Sequence, residues 1–469
     1  MLSLLSTLDR LSIPYVSWKN NHELAAALEG GTDLDIFVPP WHAAAFRRAA
    51  QADCWVELVN RLARYPHVHH YYKISGTCVI FHLHVYFRVV TGDSWLKEYL
   101  LPLETWFIQN RERSPEWGVW VLKREAQAYI FVLRYLLKNG SVIGRLLFRN
   151  ELAGYQEEWA KAAVPSLETA PVGLPTLEAY VSGLSLDPKS LYRPPLFSSL
   201  RVRYLLSSYL RVPPWSLPLR RLMQLFRRAR NRLWAREKKA FIGRGLVIAI
   251  SGPDGSGKTT LKQEAVDCLA CFMTVRAASL GRPQPEWLNR IMASPLFVGR
   301  WKRASVREVR ALKECRGPGD AVKGLLLAFL RRAAARAAVK EASRGHLVLS
   351  DRWPTVQLGY MDGPRLCRPE AGRFALLCSS LERWIYGSMP RADLCIYIRV
   401  SECEAVARND ARSKRDKESD DEIRSRHRGN IQHRALALEA KDFDNGGPLS
   451  VKGPEFIQTI WNAIADRYG

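Results

Sequence analysis

Leu246-Val-Ile-Ala-Ile-Ser-Gly-Pro-Asp-Gly-Ser-Gly-Lys-Thr-Thr-Leu261 reads as a buried strand, a glycine-rich turn and the start of a helix. Between Gly252 and Thr259 it fits G-x-x-x-x-G-K-[ST], the phosphate-binding pattern. An apolar β-type run precedes the pattern and helix-forming residues follow it, which is the context such a loop needs. Gly252, Gly255 and Gly257 let the backbone curl until successive N–H groups point at phosphate oxygens. The helix that follows aims its positive end at the same place. Lys258 supplies a point charge for β- and γ-phosphates, and the Thr259 hydroxyl can ligate Mg²⁺. The nucleotide cradle therefore comprises Gly252, Pro253, Asp254, Gly255, Ser256, Gly257, Lys258, Thr259 and Thr260. Asp254 places a carboxylate beside a transferred phosphoryl group, where it can contact or deprotonate an acceptor hydroxyl.

Around this stretch lies a chain of 469 residues, long for one core, so two or three domains are expected. A hydrophobic share of 47% marks it as globular rather than disordered. No apolar run reaches the roughly 20 residues of a membrane span. Met1-Leu-Ser-Leu-Leu is interrupted by Asp9 and Arg10 before a signal core can form. The expectation is a cytoplasmic protein. Nine cysteines, odd in number and without paired spacing, fit a reducing compartment. Cys268 and Cys271 are expected on a buried face of the helix after the loop, not as a zinc or redox pair. A net charge of +24 calls for an anionic partner: a nucleotide, a phosphorylated glycan, a nucleic acid or an acidic membrane surface.

Towards the N-terminus, Gly30-Gly-Thr-Asp-Leu-Asp-Ile-Phe-Val38 puts Asp33 and Asp35 two apart on an expected strand, on one face. Two such carboxylates can hold a divalent metal against a triphosphate, a second candidate metal site. With Lys19 upstream, this resembles the strand motif of the nucleotidyltransferase superfamily. That family takes a third carboxylate from a later strand. Here the matching strand, Cys78-Val-Ile-Phe-His-Leu-His-Val-Tyr-Phe87, carries His82 and His84 instead. The expectation is an α+β nucleotidyltransferase-like domain over 1–115 with lost or altered activity. His69, His70, His82 and His84 could form a metal cluster but are read as ordinary strand and loop residues.

A helical connector is expected over 116–240, beginning with a helix from Trp117 to Leu137. Its end, Arg220 to Lys239, is strongly basic with an apolar stripe at Leu222, Leu225, Phe226 and Leu233. It reads as a solvated interdomain helix or as an amphipathic helix in peripheral contact with an anionic membrane.

From 241 onwards strands alternate with helices, the signature of a doubly wound parallel sheet in an α/β domain. Met273 to Leu280 is an expected strand, with Arg282 beyond its C-terminal end, where open α/β sheets bind ligands. His346-Leu-Val-Leu-Ser-Asp-Arg-Trp353 reads as the metal-side strand: Asp351 would hold Mg²⁺, and Arg352 would face an acceptor's anionic group. Asp393 to Val400 is another core strand. The mixed-charge run from Arg408 to Arg428 has the composition of a mobile lid, with Arg408 and Arg412 one turn apart.

Together, Gly252-Pro-Asp-Gly-Ser-Gly-Lys-Thr-Thr260, Ser350-Asp-Arg-Trp353 and the arginines from Arg408 to Arg415 resemble the thymidylate kinase family of nucleoside monophosphate kinases over residues 241–469. The resemblance implies a P-loop kinase fold, ATP and Mg²⁺ as cofactors, and a homodimer. It assigns ATP·Mg to Lys258 and Thr259, the acceptor sugar to Asp254, and metal and acceptor phosphate to Asp351 and Arg352. The long N-terminal extension and the segment Pro354-Thr-Val-Gln-Leu-Gly-Tyr-Met-Asp-Gly-Pro depart from that family. The fused layout is similar to thymidylate-kinase-like proteins found beside bacterial polysaccharide genes, which implies a sugar, glycan or lipid-linked acceptor. The expected activity is ATP-dependent phosphoryl transfer to a nucleoside monophosphate such as dTMP or to such a glycan. Two alternatives stand beside it: an ATP-gated polyanion-binding module, and an active nucleotidyltransferase fused to a kinase.

Overall fold

The computed structural model describes residues 1–62, 64–93, 95–139, 153, 196–253, 255–281, 314–315, 317–360, 362–410 and 434–468. The chain forms two compact units, Met1–Glu237 with Ile460–Gly469, and Lys238–Thr459.

The first unit is built on a mixed sheet. Its strands β1 (Val16–Ser17), β2 (Leu34–Phe37), β3 (Val56–Val59), β4 (Val68–Ile74) and β5 (Ile80–Tyr86) come first in the chain. A hairpin of β6 (Val89–Thr91) and β7 (Tyr99–Leu101) stands apart, and β8 (Arg111–Arg113) and β9 (Trp120–Leu122) return to the sheet. The spatial order is β3-β4-β5-β2-β1-β9-β8, with β2 parallel to β5 and β4 antiparallel to it. Helices α1 (Leu2–Arg10), α2 (Leu24–Glu29) and α3 (Ala43–Ala52) cover one core, where Leu4, Leu8, Phe46 and Trp55 are fully enclosed. Helices α4 (Glu104–Gln109) and α5 (Arg124–Asn139) supply the other. Tyr129 to Leu137 of α5 is buried on every side, which fits a run that is apolar apart from Arg134. Trp18 and Tyr86 meet edge to face at 5.0 Å in this core. Helices α6 (Leu196–Leu205) and α7 (Leu217–Arg230) follow in the chain.

In the second unit the opening stretch becomes β10 (Val247–Ser251), a loop and α8 (Lys258–Leu269). The sheet adds β11 (Val275–Ser279), β12 (Leu347–Asp351), β13 (Ala392–Arg399) and β14 (Ala437–Asp444), in the order β11-β12-β10-β13-β14, all parallel. β10 is buried along its whole length, as its continuous apolar run requires. Helices α9 (Pro318–Ser343), α10 (Arg373–Gly387), α11 (Glu402–Asp410) and α12 (Leu449–Tyr468) follow the loop helix in the chain. α9 buries Ala335, Ala338 and Ala342 against Val247, Val348 and Trp353, small residues that let helix and sheet approach closely. Chain order reverses at β10, whose neighbours are the third and fourth strands of the sheet. That reversal opens a crevice at the strands' C-terminal ends.

Three segments differ from their sequence pattern. Trp120–Leu122 is a strand, not the start of a helix, because it pairs with β8 on one side and β1 on the other. The basic helix stops at Arg230; a π-turn follows at Asn231–Ala235, and Arg236 takes a left-handed φ of 48°. There the Asn231 side chain bonds both N–H and C=O of Glu237 at 2.9 Å, ending the helix nine residues before Lys239. β14 escaped the sequence reading because it is a mostly exposed edge strand, with Glu439, Lys441 and Asp442 in place of an apolar run. Cys268 is half-buried and Cys271 exposed, so the pair does not form a buried face.

Asp393, buried at the start of β13, accepts hydrogen bonds from Val247 N–H at 2.8 Å and Arg244 Nη2 at 3.0 Å. It ties the first turn of the central strand to its neighbour. Asp393→Ala leaves the Val247 N–H without that acceptor inside the sheet, and should cost about 1–3 kcal/mol in urea unfolding.

Candidate active site

The loop between β10 and α8 is held by contacts that leave little room. Gly252 has φ 156°, and a Cβ there would lie 2.7 Å from the Ile398 carbonyl oxygen. Gly257 caps α8 in the left-handed region at φ 84°, with the Asn445 side-chain amide only 2.6 Å from where its Cβ would be. Asn445 itself donates from Nδ2 to the Ser256 carbonyl at 2.8 Å, and its N–H donates to Arg399 O at the end of β13. The loop is thus stitched to the segment after β14. Lys258 is buried at the first helical position, and its Nζ donates to the Pro253 carbonyl at 2.5 Å, arching back over the loop. Thr259 and Thr260 are exposed on the first turn of α8. Ser256 is fully buried with its hydroxyl unpartnered. Asp254 lies outside the described residues.

Asp351 closes β12, in register with Ile250 of β10 and Ser279 of β11. Parallel pairing therefore carries its carboxylate to the level at which β10 enters the loop. Asp351 Oδ1 is buried and has no hydrogen-bond partner among the described residues. A hard divalent cation takes carboxylate and hydroxyl oxygens. An orphaned carboxylate oxygen beside a phosphate loop that also offers the Thr259 hydroxyl fits Mg²⁺.

Arg352 follows with φ 67°, a strained value for a side chain of its size. Its guanidinium Nη1 stands 3.7 Å from Asp362 Oδ2. The same Asp362, buried in the loop after β12, takes Arg331 Nη2 on its other oxygen at 2.6 Å. Arg331, buried on α9, also donates to the Leu280 and Gly281 carbonyls beyond β11 and to the Tyr386 hydroxyl. Arg331 and Asp362 form a fixed base that sets Arg352 beside the strand ends. Neither was apparent from sequence. One arginine among several on an alanine-rich helix and an aspartate in a loop carry no signal until the fold joins them.

Arg408, the first arginine of the expected lid, is held by its own helix and by the segment after β14. Its Nη2 bonds Glu404 Oε1 at 2.5 Å, Asn445 O at 2.8 Å and Gly447 O at 3.1 Å. Its Nη1 lies 3.5 Å from the Cβ position of Gly257. It is docked against the loop that leads into α8. Arg412 and Arg282 lie outside the described residues.

A second cluster occupies the first unit. Asp35 of β2 and His84 of β5 are register partners, so His84 stands on the strand expected to offer a third carboxylate. His84 Nδ1 sits 2.7 Å from Asp33 Oδ2 and 3.1 Å from Asp35 Oδ1, and Lys19 Nζ lies 2.7 Å from Asp35 Oδ1. Burial alone would raise the Asp35 pKa, but the Lys19 charge and the His84 hydrogen bond outweigh it and hold the carboxyl at about 2. Asp33 is pulled down in the same way, with His84 as the main opposing cause against burial. Asp35 also lifts the pKa of Lys19 against the effect of burial. His70, His82 and His84 converge, with nitrogens within 4.8 Å of one another. They are not scattered strand residues, because antiparallel pairing sets His70 opposite His84. His69 instead pairs with Glu57 at 2.6 Å. Nitrogen-rich donors of this kind suit a first-row transition ion better than Mg²⁺.

No family model matches the chain. Over 133 residues it is 33% identical to the uncharacterized ATP-binding protein YghS of Escherichia coli (strain K12), a match covering 27% of this chain and 56% of that protein. The chain thus spans little more than half the length of that curated relative. Among solved structures, thymidylate kinase from Candida albicans overlaps at 13% identity with a TM-score of 0.27, covering 48% of this chain and 93% of that one. Deoxyadenosine kinase from M. mycoides, solved with bound dATP, overlaps at 14% identity with a TM-score of 0.28, covering 47% and 99%. No described helix is long and apolar enough to cross a membrane.

The loop geometry separates two glycines. Gly257→Ala forces a side chain into φ 84° and against Asn445, and should destabilise by about 1–3 kcal/mol. Gly387→Ala, at the end of α10 with nothing within 4 Å of its Cβ position, should be neutral or gain up to about 1 kcal/mol. Urea denaturation of both variants reads the contrast.

Proposed function

We propose that the chain is an ATP- and Mg²⁺-dependent phosphotransferase whose site is the crevice between β10 and β12. The observation that carries this reading is the pairing of a phosphate-binding loop with an unpartnered carboxylate oxygen of Asp351, level with it on the next strand. The loop N–H groups and the start of α8 bind the phosphates, and Lys258 neutralises charge on the transferred group. Thr259 and Asp351 would hold Mg²⁺, which supplies charge neutralisation between the β- and γ-phosphates. Arg352, positioned by Asp362 and Arg331, faces the acceptor's anionic group. Asp254 meets the acceptor hydroxyl. Catalysis rests on alignment and charge, with no covalent enzyme intermediate. The ATP-binding relative supports the choice of nucleotide. The acceptor is a nucleoside monophosphate such as dTMP or a sugar or glycan, and the first unit recognises an acceptor or another ligand.

The test is ADP release from ATP·Mg²⁺ with thymidylate, other nucleoside monophosphates, and a panel of sugars and glycans. Lys258→Ala should lower turnover by at least roughly 100-fold. Full turnover in that variant would overturn the assignment. Stimulation by thymidylate alone identifies a nucleotide kinase; stimulation by a glycan alone identifies polysaccharide phosphorylation.

One observation favours a peripheral membrane contact as well. Leu219, Leu222 and Phe226 recur at helical spacing on the exposed side of α7, with exposed Trp215 before them and Leu233 and Trp234 after. Exposed Arg227, Arg230 and Arg232 flank the stripe, while Arg221 and Arg228 turn inward to Asp93 and Trp95. Apolar side chains rimmed by arginine suit the headgroup layer of an anionic bilayer. The chain should sediment with phosphatidylglycerol vesicles and not with neutral phosphatidylcholine vesicles. Leu222→Asp with Phe226→Asp should weaken this at least fivefold; unchanged sedimentation would refute the contact.

A further inference from the structure

Three imidazoles meet on one face of the first unit's sheet. His82 and His84 are two residues apart on β5, so both rings project from the same side. Antiparallel pairing puts His70 of β4 opposite His84, and Tyr72 opposite His82. Opposed and diagonal side chains of such a pair lie within reach of one another. The His70 and His82 ring centroids stand 4.4 and 4.3 Å from that of His84, both in edge-on contact. Each residue offers one nitrogen, and these nitrogens all lie within 4.8 Å of one another. His70 Nδ1 and His82 Nε2 face each other at 3.3 Å. Two nitrogens bound to one tetrahedral zinc at about 2.0–2.1 Å are about 3.3 Å apart, so this pair already spans one edge of such a site.

His84 is the ring best prepared to ligate. Its Nδ1 lies 2.7 Å from Asp33 Oδ2 and 3.1 Å from Asp35 Oδ1. A proton on Nδ1 shared with these carboxylates leaves the lone pair on Nε2, on the other side of the ring. A carboxylate behind a metal-binding imidazole fixes its tautomer and raises its basicity. His82 is held differently, its ring stacked on Tyr72 at 4.3 Å with planes 7° apart. The carboxylate pair is the poorer seat for a metal. Lys19 Nζ already lies 2.7 Å from Asp35 Oδ1, and His84 engages both aspartates.

We propose that His70, His82 and His84 bind one first-row transition ion of the zinc class, with the Asp33 carboxylate positioning His84. Imidazole suits such ions, whereas Mg²⁺ prefers oxygen donors. Three neutral ligands leave a tetrahedral ion one open position and its full double charge, which suits water or an anionic oxygen of a ligand. The three rings are half-buried, neither sealed from solvent nor surrounded by it. The site shares no residue with the nucleotide loop, so it stands or falls apart from the phosphotransferase reading.

The test uses the full chain without a histidine tag, stripped of metal and kept reduced. Calorimetric titration with Zn²⁺ in excess Mg²⁺ should show one ion bound by these histidines. Titration with Co²⁺ should give the visible bands of a tetrahedral nitrogen site without thiolate charge-transfer bands. His82→Phe keeps a ring on Tyr72 but removes the nitrogens, and His70→Gln removes the facing imidazole. Each should weaken Zn²⁺ binding at least roughly tenfold, and Asp33→Asn should weaken it by about 10–100-fold with the Co²⁺ bands unmoved. His69→Gln, on the other face of β4 and paired with Glu57, should change nothing. Failure to bind Zn²⁺, or binding undiminished in both His82→Phe and His70→Gln, would overturn the proposal.

Discussion

The parallel hydrogen-bond register between β10 and β12 is the constraint on which the second unit depends. It sets Ile250 opposite Asp351, and so puts the mouth of the phosphate loop and an unpartnered carboxylate oxygen at one level. A slip of one residue would turn Asp351 to the other face of the sheet. The register is defended by burial on both faces and by Asp393, which caps the start of the central strand from the side. At the opposite end Asn445 binds the loop's Ser256 carbonyl, and Arg408 binds the segment that carries Asn445. The loop is therefore clamped before any phosphate arrives, which reduces the entropy lost on binding.

The two units solve the placement of charge in different ways. In the second, backbone N–H groups and a helix end provide positive potential, and Lys258 donates to a loop carbonyl. In the first, Asp33 and Asp35 are neutralised from within by His84 and Lys19. His84 stands in register with Asp35 and adds a nitrogen donor to the two carboxylates. β2, β4 and β5 thus carry a carboxylate pair neutralised by Lys19 and His84 and a three-histidine cluster that shares His84.

Much of this was legible in the residues. The phosphate loop is a local motif whose glycines report backbone angles directly, and apolar runs reported β10, β12 and β13 because strands buried on both faces leave no room for polar residues. β14 was not legible, since an exposed edge strand is under no such pressure, and neither was β9, three residues long and fixed only by its partners. Arg408 was legible as an arginine but not as one docked on carbonyls from residues 445 and 447, nearly forty positions away. The histidines looked ordinary because alternation along one strand says nothing about what the adjacent strand places opposite.

The sequence by itself determined the chemistry of the loop, the sign of the ligand it attracts and the class of sheet that carries it, because these follow from short-range backbone geometry and hydrophobic pattern. Only the tertiary structure decided that Asp351 lies beside that loop, that Arg331 and Asp362 steady Arg352, and that His84 stands between Asp35 and His70 on adjoining strands. Each of those facts joins residues distant in the chain, and such juxtapositions are set by strand register and helix packing, which no local pattern encodes.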